Sequence, residues 1–139
     1  MYILDSSSIA VILARLKEEA IEVLEGSVTL DLARYELGNI IWKEYALRGL
    51  INKVEALNKV KHVASLLEIM DVERIESEEE LRSVMELASE LKITFYDASY
   101  LHKAKSRKLV LVTEDEDLRE KAKHANVKAV RADALVEQR

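Results

Sequence analysis

Apolar residues in this chain follow two rhythms, brief runs of three or four residues and longer stretches in which they recur every three to four positions. The first suits short strands buried on both faces, and the second lays one apolar stripe along a helix. Runs at residues 2–4, 28–30, 72–75, 109–112 and 127–130 predict strands, with 109–112 the clearest and 72–75 the weakest. Between them, Ile9, Ile12, Leu13 and Leu16 predict a helix that the hydroxyls of Ser6, Ser7 and Ser8 could cap, and a second piece over 17–24 stops at Gly26. Leu32, Tyr35, Leu37, Ile40, Ile41 and Tyr45 predict a helix over about 31–48 that ends at Gly49. Asn52 is placed to cap the next, whose stripe of Val54, Leu57, Val60, Val63, Leu66 and Leu67 should pair with it as an antiparallel hairpin, serving as core or as a dimer seam.

The second half repeats the pattern. Ser77 with Glu80 has the spacing of a capping box for a helix to about residue 91, residues 93–96 lead into Asp97 and a helix through 104, and another helix is predicted over about 115–125. Strands alternating with helices are the signature of a parallel sheet covered on both faces. The expected fold is therefore a helix-rich three-layer α/β/α arrangement around a central parallel sheet of about four to five short strands. Zero proline and three glycines leave few breaks, and the 139 residues suit one domain over 1–139.

Composition narrows the chemistry. With no cysteine, disulfides, thiolate ligands and cysteine nucleophiles are excluded. No apolar run has the length or basic leader of a signal peptide or a membrane span, so a soluble, cytoplasmic protein is expected. A formal charge of −5 argues against a generally basic nucleic-acid coat but leaves a local basic groove open. His102, Lys103, Lys105, Arg107 and Lys108 form an acid-free stretch, the best candidates with Lys43 for phosphate contact.

Four carboxylates carry the sharpest signal: Asp5, Glu36, Asp97 and Asp115 each fall where a short strand ends or a helix begins. In an open parallel sheet those positions share one rim, where ligands bind. Each residue also has a bland reading. Asp5, Asp97 and Asp115 could cap helices, and Glu36 could complement a helix dipole. Ser7 could hold the Asp5 carboxylate, and Asn39, one turn beyond Glu36, could orient that acid or meet a phosphate. In the run Thr113 to Asp117, Thr113 with Glu116 matches a capping box, Asp115 faces the rim, Asp117 is a further ligand candidate, and Glu114 is expected to be the solvated member.

Converging carboxylates repel one another, and a bound cation relieves that cost. Hard oxygen ligands favour magnesium or manganese, and His62, His102 and His124 show no ligand spacing. Two such ions about 3.5 to 4 Å apart can activate water and stabilise the leaving oxygen in phosphodiester cleavage. A glycine-rich phosphate loop is absent, which disfavours triphosphate hydrolysis. Ser7 stands where an aspartate phosphohydrolase needs its second acid.

The segments YILDSSSIAVIL, YELGNIIWK and FYDASYLHKAKSRKLVLVTEDEDL, followed by the strand at 127–130, resemble in order and spacing a PIN domain, most like the VapC-type toxin ribonucleases of toxin–antitoxin pairs. The resemblance covers nearly the whole chain. It implies that Asp5, Glu36, Asp97 and Asp115 are the metal-binding acids, Asp117 an additional one, Thr113 the threonine of the last motif and Ser7 the small hydroxyl residue beside the first aspartate. It also implies magnesium-dependent endonuclease action on RNA, a homodimer, and an antitoxin whose basic segment blocks the acidic pocket. Stand-alone RNA-processing PIN nucleases share these acids, and a non-catalytic acidic module that docks a basic partner is the alternative from another class.

Overall fold

Residues 1–138 are described by a computed structural model, in which the first apolar run forms β1 (Tyr2–Leu4) and passes straight into α1 (Ser6–Leu16). A 3-10 turn (Lys17–Glu19), α2 (Ala20–Leu24) and Gly26, whose φ of 77° is the left-handed stop expected of it, lead to β2 (Val28–Leu30). Next, α3 (Leu32–Trp42) continues through a wider π turn (Lys43–Leu47), and α4 (Lys53–Ile69) packs back against it before β3 (Asp71–Glu73). The crossover made of α5 (Glu78–Leu91) and α6 (Phe95–Arg107) reaches β4 (Val110–Val112). The chain then closes with α7 (Glu116–His124), β5 (Ala129–Val130) and α8 (Asp133–Val136).

All strand pairings are parallel, in the order β3-β2-β1-β4-β5, with Ile3 opposite Leu111 and Leu4 opposite Val112. Alternate residues of a strand point to opposite faces. Leu4 and Val112 accordingly pack with α1 to α4 residues such as Ile12, Leu37 and Leu66, while Ile3, Val28 and Leu111 pack with Leu101 of α6 and Leu118 of α7. These two apolar layers make the α/β/α sandwich. From β1 the chain winds to one side for β2 and β3, then crosses to the other for β4 and β5. The reversal between β1 and β4 opens a crevice at their carboxyl ends.

Several boundaries differ from the sequence reading. The helix expected from Asp97 through 104 starts earlier and runs longer, as α6 (Phe95–Arg107): Lys92 takes a left-handed φ of 56° and Thr94 caps α6, so α5 turns into α6 across three residues. The apolar run there reflects Ile93 packing against the sheet-facing core. Leu109 and Val127 are buried yet stand before their strands, because their backbone N–H groups donate back to Ala104 O and Ala122 O. The α4 stripe is core only in its second half: Val63, Leu66 and Leu67 are buried, whereas Val54, Leu57 and Val60 are exposed. Among the described residues no helix is long and apolar enough to cross a membrane.

Candidate active site

Asp5 stands at the mouth of the β1/β4 crevice. Its backbone N–H donates to Val112 O at 3.2 Å, extending the β1–β4 pairing by one residue, and its side chain caps α1. Oδ1 accepts from Ser8 N at 3.0 Å and from Ser7 Oγ at 2.7 Å, while the same Ser7 oxygen accepts from Glu114 N at 3.2 Å. Ser7 therefore ties the turn after β1 to the turn after β4. Across that second turn, buried Thr113 accepts from Asp115 N at 3.2 Å, and Arg119 donates to Thr113 O at 2.9 Å. Asp115 itself caps α7, its Oδ1 accepting from Leu118 N at 3.2 Å. The expected Thr113–Glu116 capping box does not form, because α7 starts at Glu116 and Asp115, two residues beyond Thr113, is its cap.

The other two acids come from helices above the rim. Asp97 lies in the first turn of α6, where its N–H donates to Thr94 Oγ1 at 3.1 Å; Thr94, and not Asp97, is the cap. A carboxylate in a first helical turn is ordinarily favoured by the dipole. Here crowding wins: burial first, then the charges of Asp115, Asp5 and Glu36, push the Asp97 carboxyl up to about 6. That coupling places all four sequence-selected acids in one electrostatic group. Glu36, in α3, is also raised, by burial first and then by Asp5, and the effect is offset by hydrogen bonds from Tyr100 and Ser6. The buried Tyr100 hydroxyl donates to Glu36 Oε1 at 2.9 Å. Burial and the neighbouring Glu36 charge hold that hydroxyl far above the usual tyrosine range, so it is a permanent donor.

Other expected site residues are not brought in. Asp117 lies on the outer side of α7, 70% exposed, and pairs with Lys121 at 3.1 Å. Asn39 and Lys43 are exposed, and Lys43 lies seven residues beyond Glu36, about 10 Å along the helix axis. Glu114 is not the solvated member of its run: its Oε1 accepts from Ala132 N at 2.9 Å, clamping the β4–α7 turn to the start of α8. Tyr100 was not among the expected site residues; its spacing three residues after Asp97, on the same helical face, was the available signal.

The basic stretch of α6 is a correction of a different kind. Lys103 is buried, with Nζ 3.0 Å from Glu80, 3.5 Å from Glu73 and 3.2 Å from Arg74 O. His102 meets Glu80 at 3.2 Å, and Arg107 pairs with Asp71 and Glu73. Ser77 still caps α5, but Glu80 turns to these cations instead of completing the capping box. Acids of β3 and α5 thus pair with His102, Lys103 and Arg107, while Lys105 and Lys108 stay exposed, and the far end of the stretch is about 15 Å along α6 from Asp97. Lys103→Met is expected to lower stability by about 1–3 kcal/mol, since it strands partly exposed acids. It should leave the activity at the acidic rim within about twofold of wild type. Loss of activity without loss of melting temperature would instead make Lys103 a ligand contact.

The donor set suits a hard divalent cation. All four side chains are carboxylates, and both described hydrogen bonds to Asp5 go to Oδ1, leaving Oδ2 for another partner. Among the described residues, no three acids or histidines stand together in an arrangement that could by itself hold a metal ion. An open acidic mouth is compatible with magnesium, which retains several waters and binds protein through one or two carboxylates.

Comparison with known proteins decides the family. The sequence profile of the PIN domain matches residues 2–124. The chain belongs to the PIN-domain family. Two Pyrobaculum aerophilum proteins are similar to this PIN domain along most of its length. Exonuclease VapC9 is 36% identical over 124 residues, covering 89% of this chain and 87% of that protein. Ribonuclease VapC3 is 34% identical over 126 residues, covering 86% and 92%. The crystal structure of PAE2754 from the same organism superposes with a TM-score of 0.79 at 33% identity, covering 98% of this PIN domain and 94% of that chain.

Proposed function

We propose that residues 1–139 act as a metal-dependent endoribonuclease domain, with Asp5, Glu36, Asp97 and Asp115 binding magnesium or manganese and the scissile phosphodiester lying across the β1/β4 crevice. The observation that carries this reading is the charge coupling of Asp97 to the other three acids at the sheet's switch point. Similarity to a ribonuclease and an exonuclease of the same family supports action on nucleic acid. A bound divalent ion would supply an activated water and positive charge at the leaving oxygen.

The protein's own part is orientation. Asp5 is locked by Ser7 and Ser8, Asp115 by its cap to Leu118, and Glu36 by Tyr100, so three acids are held before any ligand arrives. Asp97 has the least support, and burial with the neighbouring acids pushes its carboxyl up to about 6. At neutral pH it is available as a ligand once a cation offsets its neighbours. With Lys103 and Arg107 held in ion pairs, Lys105 and Lys108 are the exposed cations of the α6 stretch left to meet an RNA backbone. The same acidic mouth fits the basic segment of an antitoxin, which would relieve the crowding without catalysis.

A closed circular single-stranded RNA separates endonuclease from exonuclease action, since a circle has no end. The wild-type chain is expected to linearise it with magnesium or manganese and to stop on chelation. An intact circle, with linear RNA degraded under the same conditions, would replace the endonuclease reading by an exonuclease one. Metal-independent cleavage would remove the proposed role of the acids.

A further inference from the structure

Glutamate has the longest and most rotatable carboxylate arm in the site, and fixing such a side chain costs about 1.5–2 kcal/mol of rotamer freedom. Glu36 is nonetheless held, and by a residue outside the acid set. Tyr100 lies one turn after Asp97 on α6, is 1% exposed, and gives its single O–H proton to Glu36 Oε1 at 2.9 Å. Beside the Tyr100 oxygen, Thr29 of β2 is fully buried and donates to Leu4 O at 2.8 Å. Leu4 is the residue before Asp5. The hydroxyl of Tyr100 therefore sits where β1, β2, α3 and α6 meet, and it references the Glu36 carboxylate to the strand end that carries Asp5.

We propose that Tyr100 is a positioning residue that pins Glu36 for divalent-cation binding, acting through that carboxylate and not on RNA. The assignment rests on the metal-dependent reading above. Partners that orient a ligand in this way are typically worth about 10–100-fold in metal affinity or activity. The ring of Tyr100 packs with Val28, Leu30 and Leu101 in the sheet-facing core, so Tyr100→Phe preserves that packing and removes only the hydroxyl.

Titration of the purified chain with manganese alone, followed by calorimetry, reads the effect without turnover. Tyr100→Phe is expected to weaken manganese binding about tenfold or more. Affinity for single-stranded RNA without divalent ions should stay within about twofold, and cleavage should recover at saturating manganese. In a Glu36→Ala background, adding Tyr100→Phe should change manganese binding no further, because the carboxylate through which Tyr100 acts is gone. Manganese affinity in Tyr100→Phe within about twofold of wild type, or a full additional loss in the double variant, would overturn the assignment. So would a Tyr100→Phe chain that fails to fold, which would make the hydroxyl a determinant of the fold. Absence of manganese binding by the wild-type chain would remove the metal reading itself, an outcome distinct from wild-type-like binding by the variant.

Discussion

Asp97→Asn is expected to abolish RNA cleavage, by at least about 100-fold, while making the metal-free protein more stable at neutral pH. Both effects have one origin. Burial and three neighbouring acids raise the Asp97 carboxyl from 3.8 to about 6, so its ionised form is disfavoured in the folded chain. With the folded value above the unfolded one, the favourable contribution is fully present below about 3.8 and is lost as pH rises through about 6. A full shift of that size would correspond to about 3 kcal/mol. Because Asp97 is only half-buried, solvent screening reduces the effect to about 1–2 kcal/mol. Thermal melts in chelator should therefore show Asp97→Asn above wild type at pH 7.5 and level with it near pH 4. Magnesium should raise the wild-type melting temperature and leave the variant's almost unchanged. A variant that cleaves RNA as wild type does, or that melts below it at both pH values, would contradict the crowded-acid account.

Asp5 separates capping from chemistry, because asparagine is about as good a helix cap as aspartate and alanine is not. Asp5→Asn can still accept from Ser8 N and Ser7 Oγ, so its melting temperature should stay near that of wild type. Asp5→Ala loses the cap of α1 and leaves a buried Ser8 N–H without its acceptor, at a cost of about 1–2 kcal/mol. Both should lose cleavage by about 100-fold or more, since the charge on Asp5 is absent from each. The pair decides between two roles that share one side chain: activity tracking stability across the two would make Asp5 only a cap, and full activity in Asp5→Asn would sink the mechanism.

The same double use explains how much of the site was legible beforehand. Asp5 and Asp115 are both helix caps, as the bland reading has it, and are also coupled by charge to Asp97, so one side chain can serve both readings. Asp97 and Glu36 were found by position near helix starts, although Asp97 follows a cap and no strand. The residues whose pairings were not foreseen, Glu114, Lys103 and Tyr100, share one property. Their roles depend on partners 18, 23 to 30 and 64 positions away, namely Ala132, Glu80 with Glu73, and Glu36. Local spacing carries no information about such pairings. A run of basic residues looks like a phosphate-binding face until the acids that face it are known.

Periodicity and strand-helix alternation by themselves determined the three-layer parallel fold, because a 2-to-4-residue apolar run and a 3.6-residue stripe each have few places to be buried. The order of residues along the chain also determined which four acids lie at element ends. Only the tertiary structure decided that they share a crevice, because the strand order β3-β2-β1-β4-β5 brings the ends of β1 and β4 together across more than a hundred residues. It also decided that Lys103 and Arg107 of the basic stretch of α6 face acids and that a buried tyrosine holds one of the acids. Such effects arise from charge and hydrogen bonding, which act through space and not along the chain.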